Sequence, residues 1–266
     1  MTALTHVTRD SATMLRRNIK HLIRYPSLTL LIIGMPVVFL LLFVYVFGGT
    51  MGAGLPGGTA SADPRADYLH YITPALLVMT VASVANSTAI LIAKDATEGI
   101  IDRFRTMPIA RSAPLNGHVL AAMAQTVFGV LVVLAIALAL GYRGGDSVAG
   151  WAGAAGIILL MGLAVTWLCV ALGLASGSVE AASNVPMPLL LLPFLSSAFV
   201  PTDSMPSGLA WIAEHQPFTP IIETLRAFLE GRDPGSDLWW AIGWCVLITV
   251  LCFWWAGRLF GRVRAV

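Results

Sequence analysis

Six runs of apolar residues, at 27–47, 71–93, 119–140, 152–175, 185–200 and 238–257, alternate with shorter polar stretches along the chain. None of the six contains Asp, Glu, Lys, Arg or His. Crossing the hydrocarbon core of a bilayer takes about 20 helical residues, so the pattern predicts an all-α integral membrane domain spanning residues 1–266 with six transmembrane helices. An even number of crossings puts both termini on one side. The fifth run is the marginal one: it has 16 residues and holds Pro186, Pro188 and Pro193, which predicts a broken span.

The stretches between the runs are also patterned. In residues 1–26, Ala12, Leu15, Ile19, Leu22 and Ile23 recur at helical spacing while Arg9, Arg16, Arg17, Lys20 and Arg24 fall on another face, the signature of an interfacial elbow helix along a membrane surface. The first run carries Gly34 and Pro36, which predict a kink, and is followed by a Gly- and Pro-rich loop at 48–64. In 94–118, Ile100, Ile101, Phe104 and Met107 form a short apolar stripe interrupted by Asp102, Arg103 and Arg105 and stopped by Pro108. That helix suits either a lipid surface or a groove on a cytoplasmic partner, with Phe104 as anchor. Between the last two runs, 201–237 is too apolar for a plain loop and too short to cross. Two amphipathic pieces divided by Pro217 and Pro220, dipping into the outer leaflet and returning against protein, fit it best.

Charge fixes the predicted orientation. Twelve of the 16 Lys and Arg residues cluster before the first run, between the second and third, and after the last, and the positive-inside rule makes those segments cytoplasmic. Basic residues outnumber acidic ones by twelve to five inside, while outside nine acids face four bases. The net charge of +2 is therefore a topological asymmetry and not a sign of nucleic-acid binding. With 57% hydrophobic and 11% charged residues, the bilayer is the chain's main solvent, and the first run is expected to be a retained span. The preference for Arg over Lys, with many Ala and Gly, points to a GC-rich bacterial source and thus to a bacterial plasma membrane.

Candidate chemistry is sparse. A phosphate-binding G-x-x-x-x-G-K-[ST] loop is missing, and the only lysines are Lys20 and Lys94, so any ATP and Mg²⁺ would be bound by another subunit. No catalytic residue, metal-ligand spacing or cofactor motif is present, and Cys169, Cys245 and Cys252 all fall within apolar runs. The lack of ionisable groups in the runs argues against ion-coupled transport. In the second run Thr80, Ser83, Asn86 and Ser87 share about a third of the helix circumference, with Gln125 and Thr126 of the third run as candidate partners. This polar stripe serves either helix packing or the lining of a substrate pathway.

The segment 94–117, KDATEGIIDRFRTMPIARSAPLNG, and the segment 199–231, FVPTDSMPSGLAWIAEHQPFTPIIETLRAFLEG, carry a resemblance. The first has Glu98-Gly99 followed by Asp102-Arg103 and a DRFR-x-x-P-x-x-R pattern; the second has F-x-P, M-P, P-x-T-P and E-x-x-R elements. Together with the span pattern they resemble the membrane subunit of type 2 ATP-binding-cassette exporters, in the daunorubicin-resistance branch. Gln216, where relatives commonly have Asn, is a departure that touches local turn geometry. The resemblance implies a permease that pairs with a second permease copy or paralogue and docks two cytoplasmic ATPase subunits. It implies that Glu98, Gly99, Asp102, Arg103, Phe104 and Arg105 form the coupling helix, and that Phe199, Pro201, Glu223 and Arg226 belong to an extracellular gate. Amphipathic drugs, polyketides or lipids are the expected cargo. Export of polysaccharide or glycolipid is the alternative within transport, and a non-transporting immunity or sensor protein the alternative outside it.

Overall fold

The computed structural model describes residues 3–24, 26–54, 63–106, 112–200 and 205–262. Pro108 and Pro201 lie outside these residues, as do the side chains of Asp102 and Arg105. All regular structure among the described residues is helical. In chain order it comprises α1 (Ala3–Arg24), α2 (Pro26–Leu42), a π turn (Phe43–Phe47), α3 (Gly48–Gly52), α4 (Pro64–Thr97), α5 (Ile100–Thr106), α6 (Ala113–Ala139) and α7 (Val148–Ala175). Then come α8 (Val179–Asn184), α9 (Met187–Leu191), a 3₁₀ turn (Leu192–Leu195), α10 (Ser207–His215), α11 (Phe218–Leu229) and α12 (Asp237–Arg262).

Five helical segments among the described residues are long and apolar enough to cross a membrane: Thr29–Gly52, Pro64–Thr97, Ala113–Ala139, Val148–Ala175 and Asp237–Gly261. The fifth apolar run, at 185–200, does not form a continuous helix. It follows directly on α8 and is divided into α9 and the 3₁₀ turn, because Pro186, Pro188 and Pro193 each remove a backbone N–H and crowd the preceding turn. The stretch predicted as a loop after the first run begins helically: the π turn at Phe43–Phe47 leads into α3, which packs against α4. Thirty-four residues give α4 a length of about 51 Å, more than a bilayer core requires, so its polar ends project beyond the apolar layer.

The helices α4 and α7 form the buried centre, whereas the first and last spans expose most of their surface. Helix α7 packs against both α4 and α12, α6 lies beside α4, and α11 wedges against α7, α12 and α4. One core cluster includes Leu40, Tyr68, Ile72, Leu76, Phe199, Ile222 and Leu229. A second gathers Ile92, Ile101, Leu115, Trp167, Leu174 and Phe260. Ile101 roots the short helix α5 in this second cluster, at the end of the bundle where Phe260 of α12 also packs.

Helix α1 lies along the start of α6. Among its described side chains Ser11 and Met14 are buried, while Ala12 and Ile23 of the predicted apolar face are exposed. The close approach has a specific cause: Met14 occupies the space where a side chain at position 117 would stand, so Gly117 is required there. The bundle takes the Ser11–Met14 side and half-buries Leu15, Ile19 and Leu22, leaving Ala12 and Ile23 outward, as on a helix shared between protein and bilayer.

Candidate functional site

At the basic end of the bundle, α4 stops at Glu98 and the chain turns through Gly99 with φ of 68°. A residue with a Cβ would be strained there. The turn is closed by the Gly99 N–H donating to the Ala96 carbonyl at 3.2 Å, and α5 starts with the Arg103 N–H donating to the Gly99 carbonyl at 3.2 Å. Ile101 is buried, Phe104 half-buried and Arg103 exposed, so α5 keeps one apolar edge in the bundle and presents charge on the other. Lys94 and Glu98 approach to 3.8 Å with both side chains about half exposed.

Arg17 ties this end together. Its guanidinium donates to both carboxylate oxygens of Asp95, at 2.9 and 3.2 Å, and lies 5.3 Å from the centroid of the Phe104 ring. His118 Nε2 stands 3.1 Å from the same carboxylate. One carboxylate at the end of α4 therefore joins α1 to the start of α6, and the same arginine stacks on α5. None of Arg17, Asp95 and His118 was among the residues singled out from sequence as site residues. The available signal was an Asp immediately past an apolar run, where an unpaired carboxylate would be costly. Its partners lie 78 and 23 residues away, with no spacing rule to identify them.

The acidic end is organised by Arg226 of α11, which is 6% exposed. Its guanidinium donates to Glu223 at 2.5 Å and to the backbone carbonyls of Tyr71 and Ser197, each at 3.2 Å. The Tyr71 ring lies 4.0 Å beneath it, and the Tyr71 hydroxyl donates to the same Ser197 carbonyl at 2.7 Å. Arg226 thus holds together α11, α4 and the irregular chain after the broken run. Glu223 and Arg226 are not a solvated surface pair. Phe199 stacks on Phe194 at 4.6 Å and contacts Phe43 at 4.8 Å, which brings the broken run onto the π turn of the first span. The tip of the α10–α11 hairpin, at Pro217 and Phe218, lines a small apolar cavity with Met161, Val165 and Cys245, well inside the bundle.

The polar stripe divides into two kinds of position. Thr80 is fully buried with its methyl group beside Gly129 and Ile33, and Thr126 is fully buried beside Gly162. Ser83, Asn86 and Ser87 are half-buried. The hydroxyls of Thr80, Ser83 and Ser87 donate to carbonyls of their own helix, at 2.7, 2.9 and 2.7 Å, so they do not bridge to a neighbour. Gln125 is 5% exposed, and among the described residues its amide makes only a long contact of 3.5 Å to Thr29 Oγ1.

The family comparison agrees with this architecture. The model of the ABC-2 type transporter family matches residues 10–229, from α1 through α11. The chain belongs to the ABC-2 type transporter family. It is the permease subunit of an ATP-binding-cassette exporter and has no ATPase site of its own; ATP is hydrolysed by a separate subunit. The daunorubicin resistance ABC transporter permease protein DrrB1 of Streptomyces coeruleorubidus is 30% identical over 229 residues, covering 86% of this chain and 75% of that protein. The probable doxorubicin resistance ABC transporter permease protein DrrC of Mycobacterium tuberculosis is 24% identical over 186 residues, covering 69% of this chain and 67% of its own. The doxorubicin resistance ABC transporter permease protein DrrB of Mycobacterium tuberculosis is 27% identical over 111 residues, covering 42% of this chain and 38% of its own.

Proposed function

We propose that this permease moves amphipathic drug, polyketide or lipid-like cargo out of a bacterial cell. Two copies of a cytoplasmic ATPase drive it, and a second permease copy or a paralogue completes the channel. The observation that carries this reading is the similarity, over most of the chain, to permeases named for daunorubicin and doxorubicin resistance. In this arrangement the basic end faces the cytoplasm with both termini, as the distribution of Lys and Arg favours. Helix α1 is the elbow along the inner surface of the plasma membrane. Helix α5 is the coupling helix, with Glu98, Arg103 and Phe104 toward the ATPase and Asp102 and Arg105 in the same segment. ATP and Mg²⁺ stay on the partner.

On the outer side, α10 and α11 form the re-entrant gate, latched by Arg226 and Glu223, with Phe199 at its edge and Pro201 assigned to it by sequence. The path runs along the first span, the second span and the broken fifth run at 185–200, with Ser83, Asn86 and Ser87 of the second offering sparse polar contacts in a largely apolar lining. Thr80 and Thr126, together with Gln125, support that wall from behind.

The test is ATP-dependent efflux of a fluorescent amphipathic drug from vesicles holding the permease with its co-purifying ATPase, compared with Phe104→Ala. Efflux from the native pair that is lost in the variant, with the complex still assembled, is the expected result. If neither assembled pair moves the drug while lipid-linked sugar stimulates ATP hydrolysis, the cargo assignment is wrong.

A further inference from the structure

In the crook where α1 turns into α2, a cavity of about 350 Å³ opens between α1, α4 and α6. From α6 it receives His118, Ala121, Ala122 and Gln125, which recur at i, i+3, i+4 and i+7 and so form one continuous helix face. Seven residues of helix set Gln125 about 10 Å deeper than His118. The chemistry changes with depth. Arg17, Arg24, Lys94, Asp95 and Glu98 stand at the mouth, with Leu22, Leu91 and the two alanines along the walls. At the deep end the Gln125 amide is more than nine-tenths buried, with only the 3.5 Å contact to Thr29. A charged rim, a wall where Asn18 and Thr88 accompany the apolar side chains, and an under-used amide at depth match an amphiphile lying parallel to the helices.

The rim has a sign. Asp95 is occupied by Arg17 and His118, and Glu98 faces Lys94 at 3.8 Å. Arg24 has no acidic partner among the described residues, leaving three cations against two carboxylates around the cavity. We propose that this cavity binds the phosphate headgroup of an anionic amphiphile from the inner leaflet, with Arg24 and Lys94 on the phosphate and the Gln125 amide donating to an ester carbonyl below it. The proposal rests on the orientation given above, with α1 and α5 at the cytoplasmic surface. A bilayer phospholipid and a phosphate-bearing cargo share this chemistry.

The permease with its ATPase subunit is reconstituted into vesicles with equal amounts of phosphatidylglycerol and phosphatidylcholine, then extracted into neutral detergent. The lipids that remain bound are counted by mass spectrometry. Phosphatidylglycerol should be retained in preference. Arg24→Gln should weaken that preference roughly fivefold, the worth of one cation near a membrane surface. Gln125→Leu should reduce retention without changing any charge. Arg258→Gln, which removes an exposed cation of α12 stacked on Trp254, should leave it unchanged.

Equal retention of the two lipids, or equal losses from Arg24→Gln and Arg258→Gln, would mean general surface attraction and overturn the site. Displacement of bound phosphatidylglycerol by dodecyl phosphate identifies a cavity open to single-chain cargo; resistance to it identifies a resident lipid. Binding is read without ATP, so a native pair that shows no preference yet keeps efflux refutes the cavity alone. Loss of efflux with the preference intact refutes the transport reading alone.

Discussion

The two ends of this bundle each rest on one arginine, and they use it differently. Arg226 is almost fully enclosed, and two of its acceptors are main-chain carbonyls of Tyr71 and Ser197. Arg17 is bound to a side-chain carboxylate and an aromatic ring, and its own side chain is 40% exposed. Enclosure makes the first contact expensive to break, because the partners left behind cannot turn to water. Partial exposure makes the second easy to remake, since water screens the separated charges. The end that carries the broken run is therefore held by a rigid clasp. The end that carries α5 is held by a joint that can yield.

The largest expected effect comes from breaking the clasp. Arg226→Ala strands Glu223 and two carbonyls and should cost about 3–5 kcal/mol, read as a steep fall in thermal stability in detergent. Arg226→Lys should restore only part of it, because an ammonium cannot serve acceptors in a fork. If Arg226→Ala melts like the native chain, the distinction between the ends collapses.

Asp95→Asn comes next. It removes the charge that Arg17 and His118 share, and with Arg17 partly exposed the cost should be about 1–2 kcal/mol. The more informative readout is drug-stimulated ATP hydrolysis, which should fall further than folding does. Gly99→Ala should cost a similar amount, about 1–2 kcal/mol, from the left-handed backbone at φ of 68°. Its effect should be confined to α5, so protease protection of the rest of the bundle should survive. The smallest effect should come from Glu98→Gln. The Lys94–Glu98 pair is half exposed, and its loss should change stability by less than about 0.5 kcal/mol. A change in ATPase stimulation with unchanged stability would assign Glu98 to the partner interface.

Much of the architecture is local and so was legible. Uninterrupted apolar runs of helix length marked the five long spans, and three prolines marked the run that breaks. The two helices α10 and α11 followed from the intermediate length and amphipathic pieces of 201–237, and α11 packs against α7 and α12. Other features could not be read. The apolar face of α1 predicted from periodicity packs only in part, with Leu15, Ile19 and Leu22 half-buried, and the closest contact is made beside it, because Gly117 of α6 admits Met14 and nothing in α1 itself encodes that opening. Glu223 and Arg226 could be paired from their spacing, yet the burial of that pair depends on carbonyls supplied by α4 and by the chain after the 3₁₀ turn.

The sequence by itself determined what periodicity and composition can express: an all-helical membrane domain, the short helix after Gly99 and the permease motifs that surround it. Each of these follows from residues within one or two turns of one another, or from totals along the chain. Only the tertiary structure decided that Asp95 joins Arg17 to His118, that Arg226 is enclosed, and that a cavity with an amide at its deep end lies in the crook of α1. Those features depend on backbone carbonyls, on glycine-sized openings and on partners as far apart as 155 residues. Such relations exist only once the helices have packed.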